Sequence, residues 1–393
     1  MQPLTAPDHL QKTRGRWIWL LSGTLTFGVI GAFGSFAIVR ASNPPVGADP
    51  ISAVPAQTVT VTQPVTALNV QSYGAPIKVT TAPGPVRIAE SVTYDLADGG
   101  PPAVTDTDSR GLLTLAAPAC ANSDCSVGFT VTVPAGVKVT TASSGGPVTL
   151  VGTGAAGIDS GGGQVYATDI GGPLTVNAEG GGVTVNNAAA ADLDSGGGPV
   201  TATGVTGRLT VHAEGGSVTV SRAPAASIDS GGGPVYAGDI GGPLTVSTEG
   251  GGVTVTGAGA TQVDSGGGPV TVSTIRGTLD VRAEGGGVEA NDVTGVLTAD
   301  TGGGPLSATS LTSPTATVSG EGGGITLGFT AAPASVRVDT GGGNASLAVP
   351  GGPYAISSDT GGSQENVLIA SSPTASRLIS VDTEGGELQI APA

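Results

Sequence analysis

Apolar and polar residues alternate in short stretches along most of this chain. An alternation with period two predicts β-strands that have one apolar side. Between positions 209 and 220, four residues should point inward: Leu209, Val211, Val218 and Val220. Three should point outward: Thr210, His212 and Thr219.

A glycine phrase separates these stretches and returns at a fixed interval. IDSGGGQV is followed by LDSGGGPV, IDSGGGPV and VDSGGGPV, and the aspartates that open the first two phrases are 35 residues apart (194 − 159). A sister phrase led by glutamate, such as AEGGGV, follows 20 residues after each aspartate (179 − 159). Because Gly adopts φ > 0 without a Cβ clash, we predict that these glycines form the corners between strands. A corner glycine such as Gly231 should have φ > 0 or lie against the coils above and below it.

Two short strands and a corner cannot bury their apolar side alone, whereas a stack of such units can. We therefore predict an all-β fold, a single elongated β-solenoid with Gly-rich coils of about 17–18 residues, half the repeat. The composition agrees, because 3% aromatic residues and 69 glycines in 393 residues suit a narrow interior of Val, Ile, Leu and Ala.

One transmembrane helix is expected to precede the solenoid. The stretch 17–39 carries no charge, and its 23 residues (39 − 17 + 1) can cross a hydrocarbon core of about 30 Å. Lys12, Arg14 and Arg16 precede it, which predicts a single pass through a bacterial cytoplasmic membrane with the N-terminus inside and the bulk of the chain extracytoplasmic. A cleaved signal peptide, with Val39 and Ala41 at the cleavage site, is the alternative.

These features divide the chain into five parts. Residues 1–16 form a cytoplasmic tail, 17–39 the transmembrane helix and 40–57 a Pro-rich spacer. Irregular first coils and an N-terminal cap occupy 58–142, and regular solenoid repeats occupy 143–393. Insertions after residue 300, such as 364–378, should bulge as loops from one corner.

The acidic residues before the glycines are expected to stack into one ladder and to accept hydrogen bonds from the glycine turns. Such a bond contributes about 1.5–3 kcal/mol, against a repulsion of about 0.9 kcal/mol between charges ~4.8 Å apart in water. We therefore predict no metal and no cofactor. Weak Ca²⁺ binding is the alternative, for which the candidates are Asp159, Glu179, Asp194, Glu214, Asp229, Glu249, Asp264 and Glu284.

Further candidates for chemistry are few. Cys120 and Cys125 are the only cysteines, and in an exported chain such a close pair predicts a disulfide. His212 should be an exposed surface residue. We predict no catalytic residues, because a periodic ladder gives every carboxylate a similar environment whereas acid–base pairs need different ones. The net charge of −16 argues against a nucleic-acid partner.

The segment VTVPAGVKVTTASSGGPVTL, followed by the repeated glycine phrases, resembles a bacterial adhesin-like domain-of-unknown-function family. The resemblance covers about 58–393 and implies a membrane-anchored β-solenoid without catalytic residues. It favours a surface-displayed, non-enzymatic interaction module of the cell envelope with an extracellular protein or glycan partner. The alternative is a membrane-bound component of an envelope-stress or signalling complex, and a carbohydrate-active enzyme is a distant third.

Overall fold

The computed structural model describes residues 51–54, 58–95, 105–117 and 125–393. These residues form strands and connecting loops, and none of them belongs to a helix that could span a membrane. The predicted tail and transmembrane helix at 1–16 and 17–39 lie outside the described residues. Within the predicted spacer, residues 51–54 form a strand.

The described residues contain 34 strands. In chain order they are β1 (Ile51–Val54), β2 (Thr58–Val61), β3 (Ala67–Ser72), β4 (Gly74–Thr81), β5 (Val86–Asp95), β6 (Thr105–Ser109), β7 (Leu112–Ala116), β8 (Ser126–Val133), β9 (Lys138–Ser143), β10 (Val148–Val151), β11 (Ala156–Ser160), β12 (Val165–Ala178), β13 (Val183–Ser195), β14 (Val200–Thr203), β15 (Arg208–Ala213), β16 (Val218–Ala223), β17 (Ala225–Ser230), β18 (Val235–Ile240), β19 (Leu244–Thr248), β20 (Val253–Ala258), β21 (Thr261–Ser265), β22 (Val270–Ile275), β23 (Leu279–Ala283), β24 (Val288–Val293), β25 (Leu297–Thr301), β26 (Leu306–Leu311), β27 (Thr315–Gly320), β28 (Ile325–Phe329), β29 (Ser335–Asp339), β30 (Ala345–Val349), β31 (Ala355–Asp359), β32 (Glu365–Val367), β33 (Leu378–Asp382) and β34 (Leu388–Pro392).

Parallel pairing arranges these strands in two columns, which confirms the predicted β-solenoid. Each coil contributes one strand to column 1, just after a glycine corner, and one to column 2, just before the next corner. About 12 coils follow one another in chain order, from β9 and β10 to β29 and β30. Val148 pairs with Val165 and Val165 with Val183, so successive coils advance by 17 (165 − 148) and 18 (183 − 165) residues.

One continuous core fills the space between the columns. The predicted inward residues Leu209 and Val211 of column 2 are 0% and 1% exposed, and Val218 and Val220 of column 1 are likewise buried. Each fully buried Val or Leu contributes about 1.5–3 kcal/mol relative to an exposed one. Because every coil adds such residues to the same core, the stack holds together although each coil alone could not.

The glycine corners owe their composition to close stacking of the coils. The prediction of φ > 0 is wrong for the regular corners, because no corner glycine between Gly161 and Gly324 has a positive φ. Instead, one glycine of each corner lies directly against the backbone of the preceding coil. A Cβ at these positions would lie between 2.0 and 2.3 Å from a glycine carbonyl oxygen, which holds for Gly163, Gly181, Gly198, Gly216, Gly233, Gly251, Gly268, Gly286, Gly304, Gly323, Gly343 and Gly386. We call this set the glycine column.

A second bend, at the end of each column 1 strand, carries the left-handed backbone. From β10 to β26 one residue per coil has φ between 54° and 73° at this bend: Gly152, Asp169, Asn187, Gly204, Arg222, Asp239, Gly257, Thr274, Asp292 and Ser310. Non-glycine residues in this region carry a steric cost of about 1–2 kcal/mol, and a β-branched residue is least suited to it.

Replacing Thr274 by glycine should therefore stabilise the solenoid by about 1 kcal/mol. Thr274 has φ 57°, and glycine already occupies this bend at Gly257 in the preceding coil and at Gly204 three coils before that. The matched control is Thr271→Gly in the same strand, which should destabilise by up to about 1 kcal/mol because Gly is a poor strand residue. Thermal melts of both variants check this, and a lower melting temperature for Thr274→Gly would contradict it.

At the N-terminal end, the coils do not follow chain order. The coil of β3 and β4 lies between the coil of β7 and β8 and the coil of β9 and β10. Antiparallel strands then close this end, because β5 pairs with β8, β1 and β2 pair with β5, and β6 pairs with β7. The outermost parallel strands are therefore covered, as protection against edge-to-edge pairing requires.

At the C-terminal end the order is exchanged in the same way. The last coil in the chain, β33 and β34, lies between β29 and β30 on one side and β31 and β32 on the other. The prediction that 364–378 forms a loop is therefore wrong for Glu365–Val367, which is strand β32.

The connection that follows includes Arg377, whose guanidinium lies 6.0 Å from the ring centroid of Tyr354. Burial raises the pKa of Tyr354, and the charge of Arg377 opposes this shift.

Candidate binding surface

Two ranks of outward residues on column 1 carry no charge from β10 to β22, and the exposed charges of column 1 in this range, Asp169, Arg222 and Asp239, lie beside them at the second bend. Strand pairing places these outward residues in ranks parallel to the solenoid axis, with ~4.8 Å between coils. From β10 to β22 the first rank consists of Thr149, Tyr166, Thr184, Thr201, Thr219, Tyr236, Thr254 and Thr271. The second consists of Val151, Thr168, Asn186, Thr203, Ser221, Gly238, Thr256 and Ser273. We call these two ranks the tyrosine face.

Two aromatic rings stand out on the tyrosine face. Tyr166 and Tyr236 are 42% and 49% exposed, although their neighbours along the strands are buried. They belong to the same rank and are separated by four coil steps, so about 19 Å lies between them. The Tyr166 hydroxyl donates a hydrogen bond to the Gln164 side chain, which restrains that ring.

The second rank is joined by hydrogen bonds between coils. The Thr203 and Ser221 hydroxyl oxygens are 3.1 Å apart, and the Ser273 hydroxyl donates to that of Thr256 at 3.4 Å. Further along, the Asn291 amide donates to Thr309 at 2.9 Å. These bonds hold polar side chains in fixed positions, so the face offers a preorganised set of hydroxyl groups.

The outward side of column 2 carries the aspartates of the glycine phrases, and we call it the aspartate face. The prediction of one mixed ladder is wrong, because the acidic residues form two rows. Asp159 pairs with Asn177, which pairs with Asp194, so aspartates occupy alternate coils from β11 to β29, whereas Asp339, Asp382 and Asp359 lie in adjacent coils at the C-terminal end. Glu179 lies two positions further along its coil, where its carbonyl faces Gly196 of the next coil. The other six candidates follow the same two rows: Asp194, Glu214, Asp229, Glu249, Asp264 and Glu284.

The alternation keeps like charges apart. Aspartates two coils apart are separated by about 9.6 Å, which lowers their repulsion in water to about 0.4 kcal/mol. The intervening positions hold neutral or basic residues, namely Asn177, His212, Ser247 and Arg282. His212 Nδ1 lies 3.2 Å from Asp229 Oδ2, and both side chains are exposed, as predicted for His212. An exposed pair of this kind contributes at most about 1 kcal/mol.

A serine hydroxyl that donates to a glycine carbonyl bonds across the regular corners, in place of the predicted carboxylate that accepts from a glycine N–H. Ser160, Ser195, Ser230 and Ser265 are 0% exposed. Each hydroxyl donates to the carbonyl of the glycine three residues later, at 2.9 to 3.1 Å. The adjoining aspartates are exposed, so the carboxylates that we expected to stabilise the turns lie on the surface, where that of Asp229 pairs with His212.

The metal alternative gains no support from this arrangement. Among the described residues, no group of three or more His, Cys, Asp or Glu side chains could hold a metal ion. From β11 to β27 the spacing of the two rows explains this, because neighbouring coils place a non-acidic residue beside each aspartate of the row.

The structure describes only one of the two cysteines of the predicted disulfide. Cys125 is 7% exposed and is disulfide-bonded. Cys120 lies outside the described residues, so its pairing with Cys125 stays a prediction.

Sequence reasoning missed the two exposed tyrosines. A usable signal was present, because both stand in a VYA triplet and they are 70 residues apart (236 − 166), twice the repeat. Since they also occupy the outward slot of the alternating pattern, their exposure could have been predicted from the period alone.

No protein-family model matches the chain, and no curated protein matches it.

Proposed function

We propose that this chain is a non-enzymatic, adhesin-like interaction module displayed on the bacterial cell surface. In this proposal 17–39 anchors it in the cytoplasmic membrane, the N-terminus is inside and the solenoid is extracytoplasmic. The uncharged span and the basic residues before it support that topology. The tyrosine face is the observation that carries the interaction role.

A long regular face suits binding of an extended partner. The coil repeat places equivalent hydroxyl groups at constant intervals, and Tyr166 and Tyr236 add rigid aromatic area. Tyr is enriched at positions that dominate binding energy, because its ring packs while its hydroxyl stays hydrated. The solenoid thus supplies a rigid support on which few side chains must be ordered when a partner binds.

The aspartate face favours binding over catalysis. Acid–base catalysis by two carboxylates uses two different environments. Asp159, Asp194, Asp229 and Asp264 are instead exposed and occupy equivalent positions in successive repeats.

Cells that carry variants of the chain test the proposal. We expect bacteria with the full-length chain to be retained on some spots of a glycan and protein array, and bacteria lacking it not to be. Deleting residues 2–12 should leave retention unchanged, because the binding surface is outside. External protease should abolish retention and leave a short membrane stub.

Two results would contradict this. Equal retention of cells with and without the chain would remove the interaction role. Loss of an envelope-stress response on deletion of residues 2–12, with retention unchanged by protease, would favour the signalling alternative.

A further inference from the structure

We propose that the tyrosine face binds a neutral, linear polysaccharide that lies along the solenoid axis. This inference rests on the proposed function and names the chemical class of its ligand. Four features of the face support it: its charge, its aromatic rings, its hydroxyl ranks and its length.

The lack of charged residues in the two ranks favours a neutral ligand. The chain carries a net charge of −16, yet neither rank of the tyrosine face contains a charged residue from Thr149 to Ser273. The exposed charges beside the second rank are Asp169, Arg222 and Asp239, which include both signs. An anionic polymer would find no cation in these ranks and would be repelled by the chain as a whole. A cationic polymer would be drawn instead to the aspartate face.

The two rings suit sugar rings. A pyranose presents C–H groups on its flat sides and hydroxyl groups around its edge, so it can pack on an aromatic ring while its edge stays hydrogen-bonded. Tyr166 and Tyr236 offer such surfaces in one rank, ~19 Å apart. A polymer that runs parallel to the axis therefore meets both rings, whereas one that crosses the strands meets only one.

The side chains between the rings match the edges of sugars. Thr184, Thr201 and Thr219 lie one per coil between Tyr166 and Tyr236. A hydroxyl both donates and accepts hydrogen bonds, as sugar hydroxyls do. A folded protein partner would need a contiguous apolar centre, and here hydroxyl groups separate the only two large apolar side chains in these ranks.

Affinity electrophoresis of the full-length chain in a polyoxyethylene detergent tests the inference. Native gels would contain dextran, laminarin, mannan or hydroxyethyl cellulose, with alginate as the anionic comparison. We expect at least one neutral polymer to retard the wild type more strongly than alginate does. The Tyr166→Ala/Tyr236→Ala variant should raise the Kd for that polymer at least tenfold, because both rings are lost.

The matched control is Asp194→Asn/Asp264→Asn, which alters the aspartate face and should keep the wild-type Kd. Circular dichroism would verify that both double variants keep the strand content of the wild type. The inference is overturned if none of the four neutral polymers retards the wild type, if alginate binds more tightly, or if the tyrosine variant binds within twofold of the wild type. Retention of cells on protein spots of the array would then still support the proposed function, so the two failures are distinguishable.

Discussion

Gly233→Ala is expected to destabilise the middle of the solenoid by about 3 kcal/mol. Its new Cβ would lie 2.0 Å from the carbonyl oxygen and 2.5 Å from the carbonyl carbon of Gly216 in the preceding coil. Both atoms belong to the backbone, so no rotamer change can relieve the clash. The coils must move apart instead, which breaks parallel hydrogen bonds on both sides of the corner.

Gly232→Ala is the matched control, one residue away in the same corner. A Cβ there meets nothing within 4 Å, and Gly232 has no positive φ. Because both substitutions reduce the entropy of the unfolded chain equally, Gly232→Ala should be neutral or slightly stabilising. Comparing the two therefore isolates the stacking clash.

Hydrogen exchange is the suitable measurement, because long repeat arrays can unfold in parts. Gly233→Ala should lower protection in peptides that cover 209–240 and leave the ends of the solenoid less affected. Equal protection in Gly233→Ala and Gly232→Ala would show that the coils tolerate a side chain in the glycine column.

Ending the chain at Arg377 removes one coil, β33 and β34, and is expected to unfold a second, β31 and β32. Within the described residues, β31 pairs only with β33 and β32 only with β34. The truncation also removes the buried residues Ile379, Val381, Leu388 and Ile390, which contribute about 1.5–3 kcal/mol each. Residues 355–367 then have no strand beside them and should lose their protection from exchange.

A chain that ends at Val349 provides the control, because it lacks both coils. Limited proteolysis should trim the longer truncation to the same product as this control. Retained protection of 355–367 in the longer truncation would mean that this coil stacks directly on β29 and β30, and the exchanged order would then be unimportant for stability.

The local sequence pattern predicted the coil but not why its corners consist of glycine. The alternation around Leu209 and Val211 was sufficient to place both in the core, because side chains alternate between the two faces of any strand. The glycine phrase correctly marked each corner. The conformation of the corner could not be predicted from the phrase. Glycine is required at a position such as Gly233 because the Gly216 carbonyl oxygen of the preceding coil leaves no room for a Cβ, and the phrase itself does not reveal that contact.

Part of the candidate site could also be predicted from the sequence. The exposure of His212 followed from its outward slot, and Tyr166 and Tyr236 could have been found by the same rule. The separation of the acidic residues into two rows could not, because it depends on the pairing that sets Asp229 beside His212 and Ser247. The glutamate of each sister phrase lies two positions beyond the residue of its own coil that occupies the aspartate row.

Sequence by itself therefore determined the repeat, the strand faces and the coil length, since each depends on residues within one or two coils. Tertiary structure alone decided the order of the end coils, where Ala345 pairs with Leu388 across 43 residues (388 − 345) while β31 and β32 lie outside them. The physical reason is that all coils present similar edges. Which edge pairs with which is settled by the whole stack, and no single coil encodes it.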